Sequence, residues 1–451
     1  MTIGHRIGWI VLGAVITGHL AALVAVLGPL GGAPENVITG AALLGFATGW
    51  LVLAIESEQW TGQPQRWALL PALVLGLLGS GFLLWPGVVS SAPMAWALPA
   101  LMLGLAIWMT MQVRRSLQSR ARQWLLYPLF GVIALAAMAA LVEQGREQLE
   151  RTREPVQGEL VDVGGYRLHL ECRGSGSPTV VLIPGAGETS AVWGWIAPAV
   201  ARESQVCVYD RAGRGASDGA PALQDGVAIA RDLHRAVVQR IGGAPVVLVG
   251  HSFGGLYARV FAAKYPAQVA GVVLLDATHP EMFTRLPNYP RFYYGYARVS
   301  ALFPSLARFG IGRVAYHAAF DDLPAQSQAV ERIWWSTAAL ARSQRDEWLA
   351  APALMRQAGM LTSLGAKPLE VVTALKESQV GWLAMQQEMA GLSRNSTHRV
   401  LPAASHMSLV SHEQDAAVTT EAILDVVAAV RTGLQVRQDR VAKSALAFKS
   451  D

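Results

Sequence analysis

Five successive apolar runs in the first third of the chain limit the folds it can adopt more than any other feature. The runs cover residues 7–28, 37–55, 67–89, 94–113 and 124–142. Each is close to the roughly 20 residues with which an α-helix crosses about 30 Å of hydrocarbon. Lipid offers no hydrogen-bond partners to the backbone, so consecutive runs of this kind are typical of transmembrane helices. The sequence therefore predicts an all-α membrane bundle of about five helices over residues 1–143.

Two features of these runs bear on helix packing. Gly45 and Gly49 form one small-xxx-small pair, which allows a second helix to approach closely. His19 lies within the first run, and we expect its imidazole to hydrogen-bond to a neighbouring helix.

Loop charges predict the orientation of the bundle. The segments 28–36 and 87–93 contain no Lys or Arg, whereas four arginines separate the fourth and fifth runs, at positions 114, 115, 120 and 122. Cytoplasmic loops carry an excess of basic residues, so the arginine loop is expected inside. We therefore predict a multi-pass cell-membrane protein in which everything after the fifth run, beginning with a linker over 144–157, is extracytoplasmic.

From residue 158 the pattern changes to short β-rich runs that alternate with helical stretches, which is typical of an α/β fold with a mainly parallel sheet. Eight strands are predicted, close to residues 158–163, 166–172, 179–185, 205–210, 245–250, 269–276, 368–373 and 398–402. Helices are predicted over 190–203, 225–241, 253–265, 380–392 and 413–431. We expect this domain to span 158–432, with a helical cap formed by the insertion at about 280–363 and a flexible tail over 433–451.

Composition excludes several classes of function. The formal net charge of +5 is not concentrated in a basic block interleaved with aromatic residues, so no nucleic-acid partner is expected. Cys172 and Cys207 are the only cysteines, which leaves no disulfide scaffold and no CxxC metal site. We expect neither a metal nor a cofactor.

The segment Gly250-His251-Ser252-Phe253-Gly254 stands between an apolar strand run and an amphipathic helical run. In a G-x-S-x-G turn of this kind the serine hydroxyl projects from the edge of the sheet, and the glycines avoid clashes in a strained backbone. Ser252 is therefore the candidate nucleophile.

With this motif in place, residues 158–432 resemble the α/β-hydrolase fold in its lid-bearing esterase and peptidase branch. The segments VLIPGAG, VCVYDRAGRGASD and VVLLDATHP are similar to the family's oxyanion loop, its turn after the fourth strand and its sixth strand. Pro184 departs from the family pattern, which usually has His before the glycine. The resemblance implies an oxyanion hole formed by the amides of Phe253 and Ala186.

A general base is expected after the last strand, where HRVLPAASHMSLV supplies His406. His412 is nearer to a helix start, and His398 lies in the strand itself. Two carboxylates remain as candidates to orient His406: Asp276 at the end of the sixth strand and Glu377 after the seventh. We favour Asp276 because Asp is the shorter and commoner acid in this role.

Two further features depend on the resemblance. Asp210 is expected to hold the turn after the fourth strand through nearby backbone and Arg211 or Arg214. Because the resemblance implies that strands two and four are neighbours, Cys172 and Cys207 are expected either to form a disulfide or to pack as two thiols.

These residues indicate a serine hydrolase, most simply a carboxylic ester hydrolase, that cleaves an ester, thioester or amide through an acyl-enzyme. A serine nucleophile argues against the Asp-dependent dehalogenase and epoxide-hydrolase branches. The membrane location predicts a small or lipid-like acyl substrate. An acyltransferase and a ligand-binding receptor with a hydrolase-like domain remain alternatives, and the oligomeric state is not indicated.

Overall fold

The computed structural model describes residues 3–28, 32–118, 120, 122–153, 157–314 and 320–436. The chain divides into two units, of which unit 1 contains Met1–Arg153, Tyr294–Ala315 and Ser336–Ala338. Unit 2 contains Glu154–Tyr293, Tyr316–Trp335 and Ala339–Asp451. Most of the predicted tail, residues 437–451, lies outside the described residues, and so do residues 154–156 of the predicted linker. The predicted domain boundaries stay a prediction.

Unit 1 is helical. Within its described residues, five helices are long and apolar enough to cross a membrane, as the sequence predicts. The N-terminal helices are α1 Ile3–Leu27, α2 Glu35–Trp60, α3 Leu69–Leu84, the short α4 Pro86–Val89, α5 Ala92–Ser116 and α6 Tyr127–Arg153.

The helices differ from the predicted runs most clearly in α3 and α6. The third run is one apolar stretch in the sequence, but α3 ends at Leu84 and α4 begins at Pro86. Proline has no N–H to continue the hydrogen-bond ladder of a helix, which explains the break. Helix α6 continues beyond residue 142, where the fifth run ends, to Arg153. Its polar end still consists of residues that favour a helix.

The small-xxx-small pair brings α1 and α2 together. A Cβ atom on Gly45 would lie 2.2 Å from the Ala22 nitrogen, and one on Gly49 would lie 2.7 Å from the Gly18 Cα. Larger residues would therefore force the helices apart. The expected hydrogen bond from His19 to a neighbouring helix is replaced by one within its own helix, where its Nδ1 lies 2.8 Å from the Val15 carbonyl oxygen. Its ring packs against Phe46 of α2, with the ring centroids 5.3 Å apart.

The described part of unit 2 contains an eight-stranded sheet with strand order β1-β2-β4-β3-β5-β6-β7-β8. Strands β1 and β2 pair antiparallel, as do β2 and β4, and the other pairs are parallel. The strands are β1 Glu159–Asp162, β2 Arg167–Arg173, β3 Thr179–Ile183, β4 Val206–Tyr209, β5 Val246–His251, β6 Val269–Leu275, β7 Leu369–Ala374 and β8 Ser396–Leu401. The predicted strands and the α/β fold class are thus confirmed.

The other helices follow the predicted alternation, and the insertion between β6 and β7 is helical. They are α7 Ile196–Val200, α8 Gly226–Ile241, α9 Phe253–Lys264, α10 Met282–Arg285, α11 Tyr289–Ser300, α12 Phe303–Ala307, α13 Ile311–Val314, α14 Ala325–Trp335, α15 Ala338–Gly359, α16 Trp382–Ala390, α17 Ser408–Ser411 and α18 Glu413–Thr432. The helix predicted over 190–203 is instead a 3₁₀ turn, Ser190–Trp193, followed by α7. Gly194 separates the two, and glycine is a poor helix former.

Every residue of β3 and β5 is buried, because these central strands have neighbours in the sheet on both sides and packing on both faces. Valine and leucine dominate the core they share with α18, as expected for parallel strands. The carboxyl ends of β5, β6 and β8 lie at the same edge of the sheet, where ligands of open α/β sheets bind.

Candidate active site

Ser252 occupies the turn between β5 and α9 with φ 54° and ψ −122°. A non-glycine residue rarely adopts a positive φ, and such strain is maintained only where the surrounding packing enforces it. The flanking glycines are part of that packing. A Cβ atom on Gly250 would lie 2.5 Å from the Gly254 backbone, and one on Gly254 would lie 2.1 Å from the Ile183 oxygen.

His406 and Asp276 are hydrogen-bonded. The distance from His406 Nδ1 to Asp276 Oδ2 is 2.6 Å, and Asp276 Oδ1 accepts hydrogen bonds from the Trp382 indole N–H at 2.7 Å and the Ala374 amide at 3.2 Å. The Asp276 side chain is 5% exposed, whereas that of His406 is 42% exposed. The carboxylate is therefore fixed by three donors, and the imidazole keeps an open face.

The other candidates lie elsewhere. Glu377 is exposed in the turn after β7, with φ 68°. His412 is the N-cap residue of α18, with its Nδ1 3.8 Å from Asp415. His398, in β8, lies 2.8 Å from the Thr373 hydroxyl. Of the two carboxylates left open by the sequence, Asp276 is the one that contacts His406.

The loop after β3 presents one amide differently from its neighbours. The Gly185 N–H donates to the Glu188 carboxylate, and the Gly187 N–H donates to Glu347 Oε2 at 3.2 Å. Within the described residues the Ala186 N–H has no hydrogen-bond acceptor, and neither does the Phe253 N–H at the start of α9. Among the described residues, neither of the two predicted oxyanion donors is thus engaged by the protein itself.

A buried pair that the sequence did not indicate links this loop to the histidine loop. Glu188 Oε1 lies 2.8 Å from His251 Nδ1, and His251 Nε2 lies 3.0 Å from the His406 carbonyl oxygen. Burial by itself would lower the pKa of His251 and raise that of Glu188, but the opposite charges reverse both effects. The pKa of His251 is raised and that of Glu188 is lowered, so the pair is ionic.

Two buried arginines hold the same loop from the other side. Arg211 donates to the Pro184 carbonyl at 2.6 Å and lies 2.9 Å from Glu347 Oε1. Arg214 donates to Glu347 Oε2 at 2.5 Å and to the Glu188 carbonyl at 3.1 Å. These contacts support the loop in which Pro184 replaces the usual histidine. Glu347 belongs to the insertion, where sequence pattern alone gives no signal for it.

Asp210 has a structural role, but its partners differ from the expected arginines. Asp210 Oδ2 lies 2.8 Å from His169 Nδ1, and Oδ1 accepts the Ser190 N–H at 2.6 Å. Burial raises the pKa of Asp210, but these donors outweigh it and the net pKa is lowered. Arg211 and Arg214 bind Glu347 and carbonyl groups of the loop after β3 instead. Asp210 therefore binds His169 of the neighbouring strand β2.

A second acid from the insertion, Glu331, lies against the same loop. Glu331 Oε1 accepts hydrogen bonds from the Thr189 hydroxyl at 2.8 Å and the Thr189 N–H at 3.2 Å. Complete burial raises the pKa of Glu331 to about 8. This carboxyl is therefore mainly protonated at neutral pH, unlike Glu188 nearby.

Aromatic side chains line the region next to the elbow. The Phe253 ring centroid lies 5.3 Å from that of Trp348, which in turn lies 5.9 Å from Phe292 and 6.2 Å from Tyr293. Phe292 is 55% exposed, whereas Phe253 and Tyr293 are buried. The residue that follows the candidate nucleophile thus begins an aromatic wall that reaches the surface of the unit.

Cys172 and Cys207 form a disulfide that joins β2 and β4. The two residues stand directly opposite each other in the antiparallel register of these strands. Of the two states the sequence left open, the structure contains the bonded one.

Comparison with known proteins identifies the family. A family model described as alpha/beta hydrolase fold matches residues 178–413, which include Ser252, Asp276 and His406. A protein of Schizosaccharomyces pombe is 28% identical over 281 residues, covering 53% of this chain and 50% of that protein. Epoxide hydrolase 4 of Mus musculus is 27% identical over 187 residues, covering 36% of this chain and 51% of that protein.

A solved structure agrees at the level of the fold. An alpha/beta hydrolase of Nostoc sp. PCC 7120 superposes with a TM-score of 0.51 at 21% identity, covering 60% of this chain and 97% of the other. The chain spans about half the length of these two curated relatives. The family model covers more than half of the present chain, so this protein belongs to the alpha/beta hydrolase fold family.

Proposed function

We propose that this chain is a membrane-anchored serine hydrolase that cleaves a carboxylic ester, thioester or amide through an acyl-enzyme. The observation that supports this most directly is the 2.6 Å contact between His406 Nδ1 and buried Asp276 Oδ2. It lies at the sheet edge from which the elbow of Ser252 projects. The nucleophile, the orienting acid and the base follow β5, β6 and β8 of one sheet, which is the arrangement used for acyl transfer.

In the proposed reaction Ser252 Oγ attacks the substrate carbonyl carbon while His406 Nε2 accepts the hydroxyl proton. The tetrahedral intermediate collapses, the bond to the leaving group breaks, and His406 returns the proton to that group. Water then attacks the acyl-enzyme by the same steps and releases the acid and free Ser252. Asp276 orients the ring and stabilises the imidazolium formed in each half-reaction.

The amides of Ala186 and Phe253 are proposed to bind the oxyanion. Donors that are already fixed in the resting protein need no reorganisation when charge develops, and losing one typically costs about 3–4 kcal/mol in the transition state. The positive end of α9 adds to the stabilisation. The contacts of the loop support this role. The amides of Gly185 and Gly187 are bonded to Glu188 and Glu347, whereas the Ala186 amide between them is not.

A lipophilic acyl or alcohol group is the proposed substrate feature. Support comes from the aromatic wall of Phe253, Trp348, Phe292 and Tyr293, which offers an apolar surface beside the nucleophile. Aromatic side chains bind apolar groups through large buried areas. The helices apolar enough to cross a membrane are consistent with a substrate taken from lipid.

The hydrolase domain is proposed to lie on the extracytoplasmic side. The arginines between α5 and α6 favour a cytoplasmic position for that loop, which leaves the rest of the chain outside. The Cys172–Cys207 disulfide supports the same side, because disulfides persist in oxidising compartments and are rare in the cytosol.

Two parts of the proposal, the serine mechanism and the lipophilic substrate, can be tested with one assay. It measures how fast the purified protein hydrolyses p-nitrophenyl esters whose acyl chains have from two to sixteen carbons. We expect hydrolysis that falls at least about 10³-fold in Ser252→Ala, with kcat/KM rising as the acyl chain lengthens. The matched control is Ser190→Ala, which removes a hydroxyl from the loop region without removing the proposed nucleophile. Undiminished hydrolysis in Ser252→Ala would exclude the serine mechanism, and a preference for acetate esters would exclude the lipophilic substrate.

A further inference from the structure

Unit 1 contains a cavity of about 420 Å³ among the membrane-spanning helices. Its lining comes mainly from α1, α2, α5 and α6, with Ala307, Arg308 and Phe309 at one end. Sites for small ligands have volumes of roughly 300–1,000 Å³, so this one is large enough to hold a molecule. None of the proposed catalytic residues lines it.

Short side chains create the space. Ala95 of α5 lines the cavity together with Ala136, Ala137 and Ala140 of α6. An alanine methyl group extends little beyond the helix backbone, so these helices leave a gap that larger apolar residues would fill. Lining atoms with no neighbour lose dispersion contacts, and an apolar occupant restores them.

The lining changes character along α6. It is apolar from Leu129 to Ala140, about 16 Å along the helix at 1.5 Å per residue, and becomes polar at Glu143, Gln144 and Glu147. In the apolar part, the Nδ1 of His19 already bonds to its own helix. A ligand that fits this lining is apolar along most of its length and polar at one end.

The polar rim is held in place by paired charges within the same unit. Arg308 Nε lies 2.6 Å from Glu35 Oε1, and its Nη2 donates to the Val89 carbonyl at 2.7 Å. Arg313 Nε lies 2.7 Å from Glu143 Oε2. Arg313 Nη2 also lies 2.7 Å from Glu150 Oε2, so this arginine is shared by two acids. These ion pairs fix the side chains of the rim, where a polar head group finds hydrogen-bonding partners.

We propose that this cavity binds the alkyl chain of an amphiphile, with the chain between α1, α2, α5 and α6 and the polar head group at the rim near Gln144 and Arg308. The site is separate from the proposed hydrolytic site and does not depend on it. A single-chain fatty acid and one acyl chain of a phospholipid share this chemistry.

Photo-crosslinking of the full-length protein in detergent tests the proposal with two probes: a sixteen-carbon fatty acid with a chain diazirine, and a phosphatidylcholine with the same acyl group. We expect adducts on the cavity-lining faces of α1, α2 and α6. In Ala136→Phe, which fills the cavity, adduct yield should fall at least fivefold. Ala139→Phe is the matched control on the exposed face of the same helix, and it should leave the yield unchanged.

A second pair, Ala95→Phe with Ala97→Phe as its control, repeats the comparison on α5, and an unchanged melting temperature confirms that each variant folds. If only the fatty acid labels the cavity, the occupant is a single-chain amphiphile, and labelling by the phospholipid identifies a membrane lipid chain. Labelling confined to lipid-facing residues, or equal yields in the filling and control variants, would overturn the proposal. Ester turnover by the same samples reports separately on the hydrolytic site.

Discussion

At the scale of single residues, Asp276 and Glu377 give contrasting expectations. In Asp276→Asn the amide cannot stabilise the imidazolium of His406, so kcat should fall by about 10³–10⁴-fold. Glu377→Gln changes an exposed side chain and should keep kcat within about twofold. Steady-state ester hydrolysis with a melting curve for each variant measures this. A comparable loss in Glu377→Gln, with Asp276→Asn active, would contradict the assignment.

The sequence narrowed the acid to two residues, and it favoured Asp276 over Glu377 by residue type rather than by position in space. Both follow strands of one parallel sheet, and the carboxyl ends of such strands meet at the same edge. The choice depends on the path of the chain after β7, where the turn at Glu377 points its side chain into solvent. Hydrogen bonds from Trp382 and Ala374 to Asp276 involve residues about 100 positions away, which no local pattern records.

The Glu188–His251 ion pair gives a pH-dependent expectation. The pKa of Glu188 is lowered from 4.5, so its stabilising contribution is present above that pH and is lost as the pH falls through the lower folded-state value. The pKa of His251 is raised from 6.5, so its contribution is present below that pH and is lost as the pH rises through the higher folded-state value. Both contributions are complete between about pH 4.5 and 6.5.

Glu188→Gln should therefore lower the melting temperature most between about pH 4.5 and 6.5, and less in alkaline solution. Thermal unfolding followed across pH 4 to 10 measures this difference from the unsubstituted protein. Glu203→Gln, on an exposed acid, is the control and should show no such window. A loss in Glu188→Gln that is the same at every pH would mean that the pair is not ionic.

At the scale of secondary-structure elements, the disulfide between β2 and β4 makes a further prediction. It closes a loop with a sequence separation of 35 residues, and the chain-entropy model assigns such a loop about 4 kcal/mol of stabilisation. Replacing Cys172 and Cys207 together by alanine should lower the temperature of irreversible inactivation by several degrees. Dithiothreitol should destabilise the unsubstituted protein and leave the double variant unchanged. Equal sensitivity of both proteins to the reductant would contradict the bond.

The central strands were predictable because each is a short, continuous apolar run that is buried on both faces. Most helices were predictable because their buried residues recur at helical spacing. The exceptions have local causes, at Gly194 in the helix predicted over 190–203 and at Pro86 in the third apolar run. The insertion was predicted to be helical, but its supporting acids were not identified. Glu331 accepts a hydrogen bond from Thr189, and Glu347 accepts one from Gly187. In each pair the two residues are more than 140 positions apart in the sequence.

At the scale of the whole molecule, contacts group residues 294–315 of the insertion with the N-terminal helices in unit 1, and most of its other residues belong to unit 2. Arg308 and Arg313 account for this through their pairs with Glu35, Glu143 and Glu150. Domains predicted as consecutive segments of the sequence cannot include a grouping in which part of the insertion belongs with the N-terminal helices. The five apolar helices, in contrast, were predictable because each is apolar over a length that the bilayer dictates.

Orientation in the membrane is testable by cysteine labelling, since both native cysteines are bonded. Val380→Cys is in unit 2, where Val380 is 98% exposed, and Gln118→Cys replaces an exposed residue that follows α5. In intact cells a membrane-impermeant maleimide should label Val380→Cys, and it should label Gln118→Cys only after permeabilisation. The reverse pattern would place the hydrolase domain in the cytoplasm.

In the proposed mechanism Ser252 forms the covalent intermediate with the help of His406 and Asp276. Intact mass and peptide mapping after treatment with a fluorophosphonate measure this directly. We predict one phosphonyl adduct per chain, located on Ser252, absent in Ser252→Ala and formed at least about 10²-fold more slowly in His406→Ala. An adduct on another residue, or one that persists in Ser252→Ala, would show that Ser252 is not the nucleophile.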